Sequence, residues 1–148
     1  MGFLTGKTAI ITGGGRAVLS NGECGSIGYG IATAYAKEGA NLVLTGRNVQ
    51  KLTDAKEELE KKYGIKVLPV QADVSAGSDN EAIVQNVVKQ AIDTFGRIDV
   101  LINNAQASAS GVTIADHTTE QFDLAVYSGL YAAFYLSLIH ISEPTRPY

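Results

Sequence analysis

What the chain lacks narrows its class before any motif is read. It has one cysteine, Cys24, so no intramolecular disulfide can form, and a cytoplasmic setting is expected. No apolar run approaches the roughly 20 residues that cross a bilayer. Met1 to Lys7 carry neither the basic segment nor the apolar stretch of a signal peptide. Basic residues are not in excess: 12 Lys and Arg stand against 15 Asp and Glu, a net charge of -3. Neither nucleic acid nor an anionic membrane is therefore the expected partner. No Cys, His and carboxylate cluster has metal-ligand spacing, so no metal is expected. Internal repeats, linkers and low-complexity stretches are also missing. What remains is one domain's worth of chain, 148 residues with 45% hydrophobic and 18% charged side chains, ordinary for a soluble globular protein.

Short apolar runs alternate with helical patterns. Strands are expected at Thr8 to Thr12, Leu42 to Leu44, Val67 to Val70 and Ile98 to Ile102. Pro69 puts the third at a sheet edge. Between them, Ile27, Ile31, Ala34 and Tyr35 recur at helical spacing before Gly39. Leu52, Ala55, Leu59 and Tyr63 form a second stripe ended by Gly64, and Ile83, Val84, Val87, Val88, Ala91 and Phe95 a third, stopped by Gly96. Ser78 to Glu81 and Thr118 to Gln121 read as capping boxes, the latter opening a helix through Phe122, Ala125 and Val126. Four strand–helix alternations specify an α/β fold with a parallel sheet covered on both faces. Its ligand crevice is expected at the carboxyl ends of the strands, where strand order reverses.

Two segments fall at such ends. One is Thr12-Gly13-Gly14-Gly15, leading through an insert to Gly25-Ser26-Ile27-Gly28-Tyr29-Gly30. The other is Asn103-Asn104-Ala105. Glycine lets backbone approach a pyrophosphate, and a helix N-terminus supplies donors and partial positive charge.

With Asp73-Val74 after the third strand, these residues resemble the short-chain dehydrogenase/reductase family. Its usual pattern is Thr-Gly-x-x-x-Gly-Ile-Gly, then Asp-Val, then Asn-Asn-Ala-Gly. The resemblance covers residues 4 to about 135 and implies a Rossmann-type doubly wound parallel sheet, here truncated after about four strands. It implies that Gly13, Ser26, Ile27 and Gly28 surround the pyrophosphate of a nicotinamide dinucleotide. Asp73 and Val74 would meet the adenine. Asn103 and Ala105 would lie beside the adenosine ribose and help fix the central strands. Three departures stand out: the insert Arg16 to Cys24, Ser26 in place of the second glycine (as in enoyl reductases), and Gln106 in place of the glycine after Asn-Asn-Ala. Cys24 is read as an unreactive loop thiol.

An acid about 20 residues past the glycine turn would bind the ribose 2′-hydroxyl of NAD. Here the second strand is followed by Thr45-Gly46-Arg47-Asn48, with no acid. A guanidinium suits a 2′-phosphate. NADP(H) is therefore expected over NAD(H), with Arg47 as the first partner and Arg16 as a possible second.

The family's chemistry is hydride transfer between the cofactor and a carbonyl or alcohol. A tyrosine protonates the alkoxide, aided by a lysine four residues on and a serine on the preceding strand. No tyrosine here has that lysine, and the last lysine is Lys89. Aligning on Phe134 puts Gly129 where the family has a helix asparagine. His117 reads as a solvated residue before a helix. No catalytic residue is expected within the chain, and the 148 residues alone are expected to be inactive. Leu136 to Arg146, LSLIHISEPTR, resembles the translation of a transposon-end sequencing adapter. Residues 1–135 are thus read as an incomplete dinucleotide-binding domain, and 136–148, with His140, as a non-native tail. The parent is expected to be an oxidoreductase acting on a small-molecule carbonyl or alcohol, and a homo-oligomer. An enoyl reductase is a minor variant of that reading. The alternatives are a non-catalytic nucleotide-binding module or a functionless truncated frame.

Overall fold

The structure, a computed structural model, describes residues 2–75 and 77–142. Four parallel strands form one sheet: β1 (Thr8–Thr12), β2 (Asn41–Gly46), β3 (Val67–Gln71) and β4 (Val100–Ile102). Their order is β3-β2-β1-β4, so the strand order reverses at β1, with β2 and β3 added on one side and β4 on the other. The helices are α1 (Ile27–Lys37), α2 (Val49–Tyr63), α3 (Asn80–Phe95), α4 (Thr119–Val126) and α5 (Ala132–Ser142). A π-helical stretch, Tyr127–Tyr131, joins α4 to α5 without a break.

Strand side chains alternate between faces, and two cores result. Ala9, Ile11, Leu42 and Leu44 pack under α1 and α2, against Tyr29, Ala32, Leu52, Ala55 and Leu59. Ile10, Val43 and Val70 pack under α3, against Val87, Val88 and Ala91. Gly64 (φ 69°) and Gly96 (φ 71°) end α2 and α3 in the left-handed conformation that favours glycine.

The expected elements all appear, with β3 at an edge. Three details differ. In α1 the buried residues are Gly28, Tyr29, Ala32 and Ala36, whereas Ile27 is 75% exposed and Ala34 is exposed. Small side chains let α1 lie close on β1, and that closeness turns the larger Ile27 out to solvent. Ser78 caps nothing: Gly77–Asp79 form a 3₁₀ turn and α3 begins at Asn80 without a side-chain cap. β4 starts at Val100 rather than Ile98: Arg97 pairs with Asp99, and Asp99 is bonded to Thr8 at the start of β1. Chain 132–142 is one helix, and Leu136 is buried. Residues 143–148 of the suspected tail lie outside the described residues. The second capping box is present: Gln121 N–H donates to Thr118 Oγ1 (3.3 Å), and Thr118 N–H donates to Gln121 Oε1 (3.1 Å).

Candidate functional site

The site is built at the reversal point, where β1 and β4 end side by side. β1 stops at Thr12, and Gly13 (φ 69°) turns the chain. A Cβ on Gly13 would stand 2.9 Å from Asn104 Nδ2. A Cβ on Gly28 would collide with the Gly13 carbonyl oxygen and stand 2.6 Å from the same amide. The two glycines thus let α1, the turn and the β4 exit close on one another. Ser26 caps α1, its Oγ accepting from Tyr29 N–H (3.4 Å). No acidic residue sits in the first turn of α1, so its positive end is not neutralised by its own side chains.

The insert is a small hairpin. Val18 bridges Cys24, Leu19 N–H donates to the Glu23 carbonyl (2.8 Å), and Gly22 (φ 83°) makes the bend. Gly25 N–H then donates to the Ala17 carbonyl (2.7 Å). The chain therefore returns to where it left, and the insert is a side excursion from the glycine turn. Cys24 is exposed.

The seam between β1 and β4 is polar. Thr12 Oγ1 accepts from the N–H groups of Asn104 (2.9 Å) and Ala105 (2.8 Å) and donates to the Ile102 carbonyl (3.3 Å). Asn104 Nδ2 donates to the Thr12 carbonyl (2.8 Å). Asn104, rather than Asn103, ties the central strands. Asn103 is exposed and donates only weakly, to Ser137 Oγ (3.4 Å).

Beyond the seam lies a cavity of about 250 Å³ over the ends of all four strands. Gly13, Arg47, Asp73, Val74 and Ala105 line it together, with Asn104, Gln106 and Ser128 among the others. Arg47 also borders a second hollow with Gln71, Asp73 and Asp79, and Gln71 Nε2 holds its carbonyl (3.1 Å). Burial opposes charge on Asp73. Hydrogen bonds from Ser75 Oγ (2.5 Å) and N–H (3.0 Å), with the Arg47 charge, outweigh it and hold the carboxyl below its ordinary range. Asn103 lines a smaller adjoining recess with Gly129. Ser26 and Ile27 stand at the start of α1 and outside these linings, as does Gly28. Arg16 is also outside them, paired with Glu58 of α2.

Several residues of the wall and of its support were not legible as such in the sequence. Ser128 Oγ donates to the Leu124 carbonyl (2.7 Å) and accepts from Ala107 N–H (2.9 Å), pinning the segment after β4 to the helix. Buried Asn80 donates to the carbonyls of Val74 (2.6 Å) and Tyr127 (3.1 Å). Gln106 and Gly129, two departures from the family pattern, meet: a Cβ on Gly129 would lie 3.6 Å from Gln106 Nε2. No group of three or more His, Cys, Asp or Glu able to hold a metal exists among the described residues. No described helix is long and apolar enough to cross a membrane.

The cradle that two Cβ atoms would fill, the unneutralised helix end and the arginine-bordered cavity suit a dinucleotide phosphate chain and its adenosine. The comparisons agree with that chemistry. The family profile for short chain dehydrogenase matches residues 7–142. A 12alpha-hydroxysteroid dehydrogenase of Clostridium sp. is 64% identical over 135 residues, covering 91% of this chain and 49% of that protein. L-sorbose reductase of Gluconobacter frateurii, solved with NADPH and L-sorbose, is 33% identical with a TM-score of 0.77, over 91% of this chain and 46% of that one. The NADPH-dependent 3-quinuclidinone reductase of Rhodotorula rubra is 27% identical with a TM-score of 0.76, again over 91% and 46%. The chain spans about half the length of the curated relatives it matches.

Proposed function

The chain belongs to the short-chain dehydrogenase family, and from that premise we propose that it is the cofactor-binding half of an NADP(H)-dependent oxidoreductase. The convergence of Gly13, Arg47, Asp73, Val74 and Ala105 on one cavity at the strand-reversal point carries this reading. Gly13, Ser26, Ile27 and Gly28 would hold the pyrophosphate. Asp73 and Val74 would border the adenine, and Asn103 and Ala105 the ribose. Arg47, with no acid in the loop after β2, would pair with the 2′-phosphate. Bound cofactor supplies hydride to, or accepts it from, a carbonyl or alcohol carbon. This chain's residues would bind and orient it.

The substrate class we favour is a hydroxyl or ketone on a steroid nucleus. It is supported by the identity with the 12alpha-hydroxysteroid dehydrogenase. A cytoplasmic homo-oligomer is the matching expectation for the parent. Titration of the 148-residue chain with NADPH and NADH tests the cofactor assignment. NADPH should bind without turnover, and Arg47→Glu should cut the NADPH preference by about tenfold or more. An unchanged ratio would remove Arg47 from the site. Grafting residues 1–135 onto the remainder of the Clostridium enzyme tests the substrate class. The chimera should turn over 12alpha-hydroxysteroids.

A further inference from the structure

Arg16 is the first residue past the glycine turn, yet it lines neither cavity bordered by Arg47 and is paired with Glu58. Its N–H donates to the Lys51 carbonyl (2.8 Å), in the first half of α2. Its Nε donates to Glu58 Oε2 (2.5 Å), seven residues or about 10 Å further along that helix. The side chain therefore runs toward the far end of α2, while Arg47 stands just before α2 begins. Tyr29 completes the cluster. Its hydroxyl is buried without a hydrogen-bond partner among the described residues. Burial first, then the neighbouring Glu58, push its pKa up, and Arg16 opposes them.

We propose that Glu58 is a specificity-determining residue of the dinucleotide site: it withholds Arg16 from the adenosine 2′-phosphate, which must compete with it to complete a two-arginine clamp. The proposal rests on the NADP(H) reading above. The Arg16 and Glu58 side chains are 34% and 36% exposed, and such a half-solvated pair is weak enough to be displaced. A phosphate offers more charge than a carboxylate and the same bidentate geometry. Release does not strand Glu58, because water reaches it and the spare Tyr29 hydroxyl lies within its field. A cofactor without the 2′-phosphate has nothing with which to draw Arg16 away. Glu58 therefore weakens one cofactor and leaves the other untouched.

The experiment is a fluorescence titration of the parent chain, Glu58→Gln, Glu58→Ala, Arg16→Gln and the Arg16→Gln/Glu58→Gln double variant with NADPH and NADH. Both Glu58 variants should tighten NADPH about fivefold with NADH unchanged. Arg16→Gln should erase that gain in the double variant. Because the readout is a ratio between two nucleotides, a general loosening of the site cannot imitate it. If NADPH binds but its ratio to NADH stays fixed, or both nucleotides shift together, the latch is overturned and the cofactor reading survives. If neither nucleotide binds the parent chain, both are overturned.

Discussion

β3 and β4 flank the same central pair of strands but are held by opposite means. β3 pairs with β2 over five residues, and β4 pairs with β1 over three. The outer side of β3 is closed. Val67 N–H donates to Glu60 Oε1 (2.8 Å), and its carbonyl accepts from Lys56 Nζ (3.0 Å). Two residues on, Pro69 has no N–H to offer, as suits an edge strand. Val100 and Leu101 of β4 show no such side-chain partners among the described residues, and the Ile102 carbonyl is met only at the strand's end, by Thr12 Oγ1 (3.3 Å). β4 is instead clamped at its ends, by Asp99 below and by Thr12 with Asn104 above. Length and edge chemistry finish β3. End clamps hold β4 short, and its early stop lets Asn104 to Ala107 turn across the cavity. The strand that makes the site is the one with the least sheet behind it.

The upper clamp is where the contrast breaks most easily. Thr12→Val keeps shape but leaves the N–H groups of Asn104 and Ala105 without their acceptor. Each unsatisfied buried donor costs about 1–3 kcal/mol, so a loss of about 3 kcal/mol is expected by denaturant unfolding. NADPH binding should weaken with it. A loss under 1 kcal/mol would show that the seam is held by something else.

The lower clamp should fail next, and with a pH signature. Burial opposes charge on Asp99, but Arg97, the Thr8 N–H and Lys7 together lower its pKa to about 2. The unfolded carboxyl titrates near its ordinary 3.8. The folded pKa is depressed, so the stabilisation is complete above about pH 4 and is lost as pH falls toward 2. The shift corresponds to about 2 kcal/mol. Asp99→Asn should cost about that much at pH 7 and only a small fraction of it at pH 2, where the folded carboxyl is half protonated. A penalty that persists in acid would mean the amide had damaged packing rather than removed charge.

The contrast also explains what could be read from sequence. Strand and helix positions were legible because apolar period and glycine stops are local: Leu52, Ala55 and Leu59 with Gly64 form a helix whatever lies above them. Pro69 announced the β3 edge for the same reason. Three readings depended on distant contacts and missed. Ile27 looked like core, but the closeness of α1 to β1, set by Gly28 against Gly13, turned it outward. Ser78 looked like a cap, but the helix began two residues later. In Asn103-Asn104 the pair was visible while the tying member was not, because nothing local says which amide meets Thr12. The cavity residues Gly13, Arg47, Asp73, Val74 and Ala105 were legible by motif. Ser128 in the wall and Asn80 behind it were not, because the contacts that place them, with Ala107 and Tyr127, are distant in sequence.

The smallest expected effects bear on the edges themselves. Lys56→Ala with Glu60→Ala uncovers the Val67 backbone groups and should cost about 1 kcal/mol. Val100→Lys should cost a similar amount, its stem lying on the core while the ammonium reaches water. Their effects on association should differ in sign. An open apolar edge templates pairing with another chain, and a lysine on it prevents that. By sedimentation velocity, Val100→Lys should reduce self-association of the parent chain, and the double alanine variant should increase it. Combining all three substitutions should restore the parent's behaviour only in part, since one edge would be closed as the other opened. Equal association by every variant would mean that neither edge governs it, and the exposed stripe of Phe122, Leu130, Phe134 and Leu138 along the helix would become the surface to mutate.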